Sequence, residues 1–262
     1  MADIEKKRHF FEQHIVELSM RASRGSYPVF TDFLTTGEQA AVIGLKRKIR
    51  ETAGDIRVEL WGGHFDCSHI VAGFFPNEYS EYDKTSLFPI SCIRIEPVNI
   101  HYTENVNHRD YLGAILALGI GRQKIGDIRI DGPSAYLFCK EEITSFILDQ
   151  LHAVRHTVVS CHLVENLEQI PKQQYQILAR TVASPRLDNI VAAMTGIARG
   201  KAADLISQGK VIVDSSEQIS VSYSCKDGCI ISIRGYGKFK LHIPDLSLTK
   251  KGKQKIQIYK FI

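Results

Sequence analysis

Apolar residues recur along this chain with two periods, three-to-four and two, and the changes between them predict the elements. Leu187, Ile190, Val191 and Met194 fall at i, i+3, i+4 and i+7, one buried stripe of a helix. Ser184 supplies an N-cap acceptor and Pro185 suits the first helical position, while Gly196 offers a left-handed stop. A second helix from about Arg199 buries Ala202, Leu205 and Ile206 and ends at Gly209; Val211 and Val213 then alternate as a strand.

Upstream the pattern is equally ordered. His9 to Met20 reads as a helix, and Thr36 with Gln39 resembles a capping box before AAVIGLKRKI. Ile56 to Trp61 alternates as a strand that breaks at Gly62-Gly63, with Ser68 to Phe75 as its hairpin partner; Pro76 to Pro89 reads as a loop. Then follow a strand at ISCIRIE, a helix capped by Asn107 and ending at Gly119, and strands 127–130 and 135–139 about Asp131-Gly132-Pro133. A helix at 141–151 and a strand at 157–164 complete β-α-β-β-α-β, the ferredoxin-like order. Tyr136 and Phe138 share one strand face and are expected to be packed or partly covered, and the aromatic signature of RNA-recognition motifs is missing. Residues 165–183 read as a polar connector with some helical character.

The reading is thus an α+β, multidomain chain. It has an N-terminal α/β region (1–85), a central ferredoxin-like domain (86–165), a connector (166–180) and a C-terminal domain (181–262) with a basic tail. At 44% hydrophobic and 24% charged residues this is ordinary globular material, and no apolar run reaches membrane-span length. The start is too polar for a secretory signal and six scattered cysteines give no disulfide framework, so a reducing cytoplasm is expected.

Charge changes the picture more than composition does. From Arg180 onward there are 14 Lys and Arg against 6 Asp and Glu, a net +8, whereas the rest of the chain is −4. Arg186, Arg199, Lys201 and Lys210 lie near helix ends, where unpaired N–H groups and the helix dipole already favour anions. Such cations suit a phosphate backbone; two amphipathic helices with ordinary surface cations are the alternative.

These residues also carry a resemblance. RLD at 186–188, ARGKA from Ala198, LI at 205–206, GKVIV at 209–213 and ISIRGYGKF at 231–239 resemble the S4 RNA-binding domain. Ala198 stands where that family usually has Ser, a lost N-cap worth roughly 1 kcal/mol of local stability. HRDYLGAILALGIGRQKIGDI (108–128), with FLTTGEQ and WGGHF nearer the start, resembles YlmH-type S4-domain proteins, so the likeness spans nearly the whole chain. After the double glycine this chain has Asp66-Cys67-Ser68-His69 in place of the family's arginine-bearing segment.

The resemblance implies an RNA-binding protein of ribosome-associated quality control, acting on stalled 50S particles that carry peptidyl-tRNA. A photosynthetic branch of the family is linked to photosystem assembly instead. The RNA surface it implies comprises Arg186, Arg199, Gly200, Lys201 and Lys210, extended by Lys238, Lys240 and the run Lys250 to Lys255. A second contact is expected at the glycine-flanked loop with Arg122 and Lys124, for which a solvated turn is the alternative. The expected partners are rRNA, tRNA and the 50S subunit, with no membrane, cofactor or metal, and a monomeric chain.

Enzyme readings lack their motifs. RLD resembles the pseudouridine-synthase motif but falls inside a helix of the S4-like unit, where Asp188 is expected to bond locally. Nucleotide-binding signatures of a tRNA synthetase are missing, and LGIG (118–121) follows a helix rather than the strand a methyltransferase loop needs. Cys225 and Cys229 near His242, and Cys67 near His64 and His69, are spaced too loosely for structural zinc. An RNA-modifying enzyme with an unrecognised catalytic domain, and an assembly factor using the S4 unit for a protein partner, remain the alternatives.

Overall fold

The computed structural model of the chain describes residues 2–79, 81–102, 104–166, 170–172, 174–214, 216–244 and 252–261. The chain forms two compact units, residues 1–172 and 173–262.

The first unit opens with α1 (Ala2–Gly25), β1 (Val29–Leu34), α2 (Thr36–Gly44), α3 (Lys46–Ala53), β2 (Arg57–Trp61) and β3 (Ile70–Phe75). The strands form an antiparallel sheet in the order β1-β3-β2, so the expected β2–β3 hairpin is present and β1 is an addition to it. Ile15, Leu18, Ala22, Val42 and Ile49 of the three helices pack with Phe74 of the sheet. The capping box lies one residue earlier than expected: Thr35 caps α2 and pairs reciprocally with Glu38. Gln39 is occupied elsewhere, its amide donating to the carbonyls of Leu34 and Ser68 at 3.0 and 2.8 Å. The run AAVIGLKRKI is not one helix but breaks between α2 and α3 at Leu45.

Next come β4 (Ile90–Pro97), α4 (His108–Ala117), β5 (Ile125–Asp131), β6 (Ser134–Lys140), α5 (Thr144–Gln150), β7 (Ala153–Val154) and β8 (Thr157–Leu163). The sheet order β5-β6-β4-β8-β7, all pairs antiparallel, is the ferredoxin-like arrangement with one short edge strand added. Tyr111 and Ile115 of α4 and Ile147 of α5 cover one face through Ile93, Ile95 and Leu137. On the other face Cys92, Tyr136 and Phe138 are buried against Phe33, Val71, Phe75 and Phe88 of the preceding region. The double glycine is explained at this joint. Gly63 has φ +93°, and a Cβ there would sit 2.6 Å from the Phe138 ring.

The second unit comprises β9 (Tyr175–Val182), α6 (Leu187–Thr195), α7 (Arg199–Ser207), β10 (Val211–Val213), β11 (Ser216–Glu217), β12 (Ile230–Ile233), β13 (Gly237–His242) and β14 (Gln254–Phe261). Its six strands run in the order β11-β10-β12-β13-β14-β9. The connector reading is corrected here. Tyr175 to Val182 is an edge strand paired with β14 along its full length. YQILARTV shows little apolar contrast because an edge strand tolerates Gln176 and Arg180, and its partner lies at the far end of the chain. Val211, Ile231, Phe239, Leu241, Ile256 and Ile258 of the sheet bury the stripe Leu187, Ile190, Val191 and Met194 together with Ala202 and Ile206. One sheet face is therefore the core, and both helices lie on it.

Candidate nucleic-acid interface

The helix pair begins differently from the sequence expectation. Arg186, not Ser184, is the N-cap of α6, and the helix starts at Leu187 rather than Pro185. The preceding segment is used by a neighbouring loop: the Pro185 carbonyl accepts from Cys225 N–H at 2.8 Å, and Leu187 N–H donates to Tyr223 O at 2.8 Å. The Ser184 hydroxyl instead accepts the Asn189 amide at 3.1 Å. Gly196 ends α6 in the left-handed conformation (φ 75°), as the sequence predicts. The next helix starts from Ala198, which offers no side-chain cap.

Asp188 organises the site. Its side chain is almost fully buried, and it accepts from Arg199 at 2.6 and 2.7 Å and from Arg186 at 3.3 and 3.4 Å. The two arginine side chains remain 43% and 56% exposed, so one buried carboxylate holds two partly solvent-facing cations at the starts of α6 and α7. Burial alone would raise the Asp188 pKa. The hydrogen bonds from Arg186, Arg199 and the Asn189 N–H outweigh it and hold the carboxyl below its ordinary value. Exposed Gly200 and Lys201 follow Arg199 in the first turn of α7, and a Cβ on Gly200 would meet nothing. Lys210 is half-buried just ahead of β10.

A pH experiment checks this arrangement. Because the folded pKa of Asp188 lies below the unfolded one, its stabilisation is complete above the ordinary aspartate value of 3.8 and is lost as pH falls toward the folded value. Asp188→Asn should destabilise the second unit by about 1–2 kcal/mol at neutral pH, discounted because both arginines are half-exposed. The difference should shrink in urea melts as pH falls through about 4. A wild-type–variant difference independent of pH would contradict the assignment.

The remaining candidates separate into groups. Lys238 and Lys240 alternate with core residues Phe239 and Leu241 on β13, so they face away from the helix pair, on the opposite side of the sheet. Lys253 and Lys255 are exposed, whereas Lys250 and Lys251 lie outside the described residues. In the first unit, Arg122 and Lys124 have internal partners. Arg122 donates to the Ile125 carbonyl at 2.5 Å and meets His69 Nε2 at 3.2 Å. Lys124 Nζ lies 2.7 Å from Asp32 and 2.6 Å from Glu142. That loop, which the sequence suggests as a phosphate grip, bridges β1 and the segment after β6.

The sequence pattern gives no sign of the group that joins the two halves of the first unit. Asp127 accepts from the Ser68 N–H and hydroxyl at 2.5 and 2.9 Å and from His69 Nδ1 at 2.6 Å. Arg129, 3% exposed, pairs with Asp66, donates to Pro171 O at 3.0 Å and Cys67 Sγ at 3.4 Å, and lies 5.1 Å over the Phe138 ring. Acid, histidine, serine and cysteine stand close together here, yet the thiol is not activated. Burial, with Asp127 nearby, pushes Cys67 up to about 12, and burial likewise takes Cys139 to about 12. Cys225 and Cys229 are buried in the core of the second unit, and His242 Nδ1 pairs with Asp227 at 2.9 Å. No group of three or more potential metal ligands occurs among the described residues. No helix among them is long and apolar enough to cross a membrane.

This is an α+β multidomain protein in which a ferredoxin-like domain sits within the first unit and a basic helix pair within the second. Residues 84–168 match the family described as "Putative RNA-binding domain in YlmH". Ribosome-associated protein quality control protein P2 of Bacillus subtilis (strain 168) is 29% identical over 230 residues, 86% of this chain and 84% of that protein. The solved structure of cell division protein ylmH from Streptococcus pneumoniae aligns at a TM-score of 0.52 and 19% identity, covering 63% of this chain and 95% of the other, a likeness of fold. These matches, one over residues 84–168 and one over most of the chain, support the resemblance to YlmH-type proteins carried by the 108–128 segment.

Proposed function

We propose that this chain is a non-catalytic RNA-binding protein that holds structured rRNA or tRNA on the large ribosomal subunit through an S4-type helix pair. Its role is then quality control of stalled 50S–peptidyl-tRNA complexes, in line with the name of the Bacillus relative. The observation that carries the reading is the Asp188 clamp, which fixes Arg186 and Arg199 at two helix starts beside exposed Gly200 and Lys201. Helix N-termini and cations there act together on phosphate oxygens. A-form RNA has a deep, narrow major groove, so such a surface reads backbone shape more than bases. Arg122 and Lys124 are left out of the surface because their hydrogen bonds are internal. The raised pKa of Cys67 speaks against a thiolate nucleophile in the first unit.

Salt is the direct test. Four phosphate contacts, from Arg186, Arg199, Lys201 and Lys210, predict an affinity for a ribosomal RNA stem that falls about a hundredfold between 50 and 200 mM salt. Filter binding on the full-length chain measures this, and an affinity indifferent to salt would remove the electrostatic mechanism.

A further inference from the structure

We infer that the outward face of the six-stranded sheet in the second unit binds single-stranded RNA by stacking its bases, a contact separate from the helix-pair surface. In the ferredoxin-like domain the sheet face that could offer aromatic rings is closed, since Tyr136 and Phe138 are buried. The second sheet has the reverse arrangement. Its inner face is the core, and its outer face presents Tyr175 of β9 with Tyr259 and Phe261 of β14. All three rings are partly solvent-accessible. Tyr175 meets Tyr259 edge-on at 5.8 Å between ring centroids and Phe261 at 5.0 Å. Such edge-to-face contacts fix the rings' orientation. Beside them Ile177 is 60% exposed, an apolar residue that a folded chain gains nothing by presenting to water.

Charge selects the partner. Strands β9, β12, β13 and β14 contain no Asp or Glu. Lys238 Nζ lies 4.8 Å over the Phe261 ring, and exposed Lys240 is the cross-strand partner of Tyr259. Rings interleaved with cations are what an unpaired strand needs: its bases present free π faces, and its phosphates lie within reach of the lysines. A duplex hides its base faces, so it cannot use this surface in the same way. The arrangement therefore assigns single strands to the sheet and leaves stems to the helices, and either contact can fail without the other.

The test uses the full-length chain with two labelled probes, a 12-nucleotide oligouridylate and a blunt RNA duplex of the same length. Tyr175→Leu, Tyr259→Leu and Phe261→Leu keep apolar bulk but remove the ring, and Lys240→Glu alters an exposed position without touching packing. Each leucine variant is expected to weaken oligouridylate binding about tenfold while duplex affinity is unchanged, and Lys240→Glu to weaken it several-fold. Arg199→Gln combined with Lys201→Glu should show the opposite selectivity. With 5-iodouridine in the oligonucleotide, photo-crosslinks are expected within 175–177 and 257–261. Leucine variants that bind oligouridylate like the wild type, or crosslinks confined to α6 and α7, would overturn the inference. So would a protein partner that survives nuclease treatment and is lost in the leucine variants.

Discussion

Replacing Arg129 by methionine is expected to destabilise the first unit by about 3–5 kcal/mol, the usual cost of removing one partner from a buried ion pair. The side chain is 3% exposed and meets five neighbours from three stretches of chain: His64, Asp66, Cys67, the Pro171 carbonyl and the Phe138 ring. Methionine fills much of the volume but donates nothing. The Pro171 carbonyl then loses this donor, and Asp66 keeps His64 at 2.5 Å. The measurement is clean because the chain has a single tryptophan, Trp61, which packs on the cluster containing Phe138. Its fluorescence should report melting of the first unit at a temperature lower by about 10 °C, since 1 kcal/mol shifts a unit of this size by about 2–4 °C. Asp66→Asn, which leaves a hydrogen-bond acceptor facing the guanidinium, should cost less. If the methionine variant melts with the wild type, Arg129 does not join the two halves as its contacts indicate.

That joint also marks where sequence reading runs out. Period and capping residues are local, so the helix stop at Gly196, the Asn107 cap and the β-α-β-β-α-β order can all be read from the chain. Arg129 sits in the strand DIRID, where alternation alone suggests an outward charge; only a second layer of chain over that face turns it inward. The same cause buries Tyr136 and Phe138. Arg122 and Lys124 read as loop cations because their partners, His69, Asp32 and Glu142, come from other segments. Lys238 and Lys240 group with the helix cations by sign of charge, whereas strand alternation sends them to the other side of the sheet. The aromatic face is not legible in the sequence because its two strands, β9 and β14, lie at opposite ends of the second unit and neither stands out without the other.

The Asp188 clamp decides how the helix-pair surface should be challenged, and the expected effect is large. Reversing Arg199 to glutamate would set a second carboxylate against the buried Asp188, so weakened binding could reflect a damaged fold. Arg199→Gln retains a donor facing Asp188 while removing the charge, and Lys201→Glu reverses a charge at an exposed position. Neutralising one charge-assisted contact and reversing another should lower affinity for a structured RNA stem by on the order of a hundredfold to a thousandfold. The slope of log affinity against log salt should become shallower by about one for each phosphate that the variant no longer neutralises. In sucrose gradients the variant should leave the 50S fractions, with the far-UV circular dichroism spectrum and its thermal melt unchanged. A folded variant that stays with the large subunit, or that keeps both the wild-type affinity and the wild-type salt slope, would place the RNA surface away from α6 and α7. A weaker affinity at an unchanged slope would mean that Arg199 and Lys201 act by shaping the helix starts rather than by meeting phosphate.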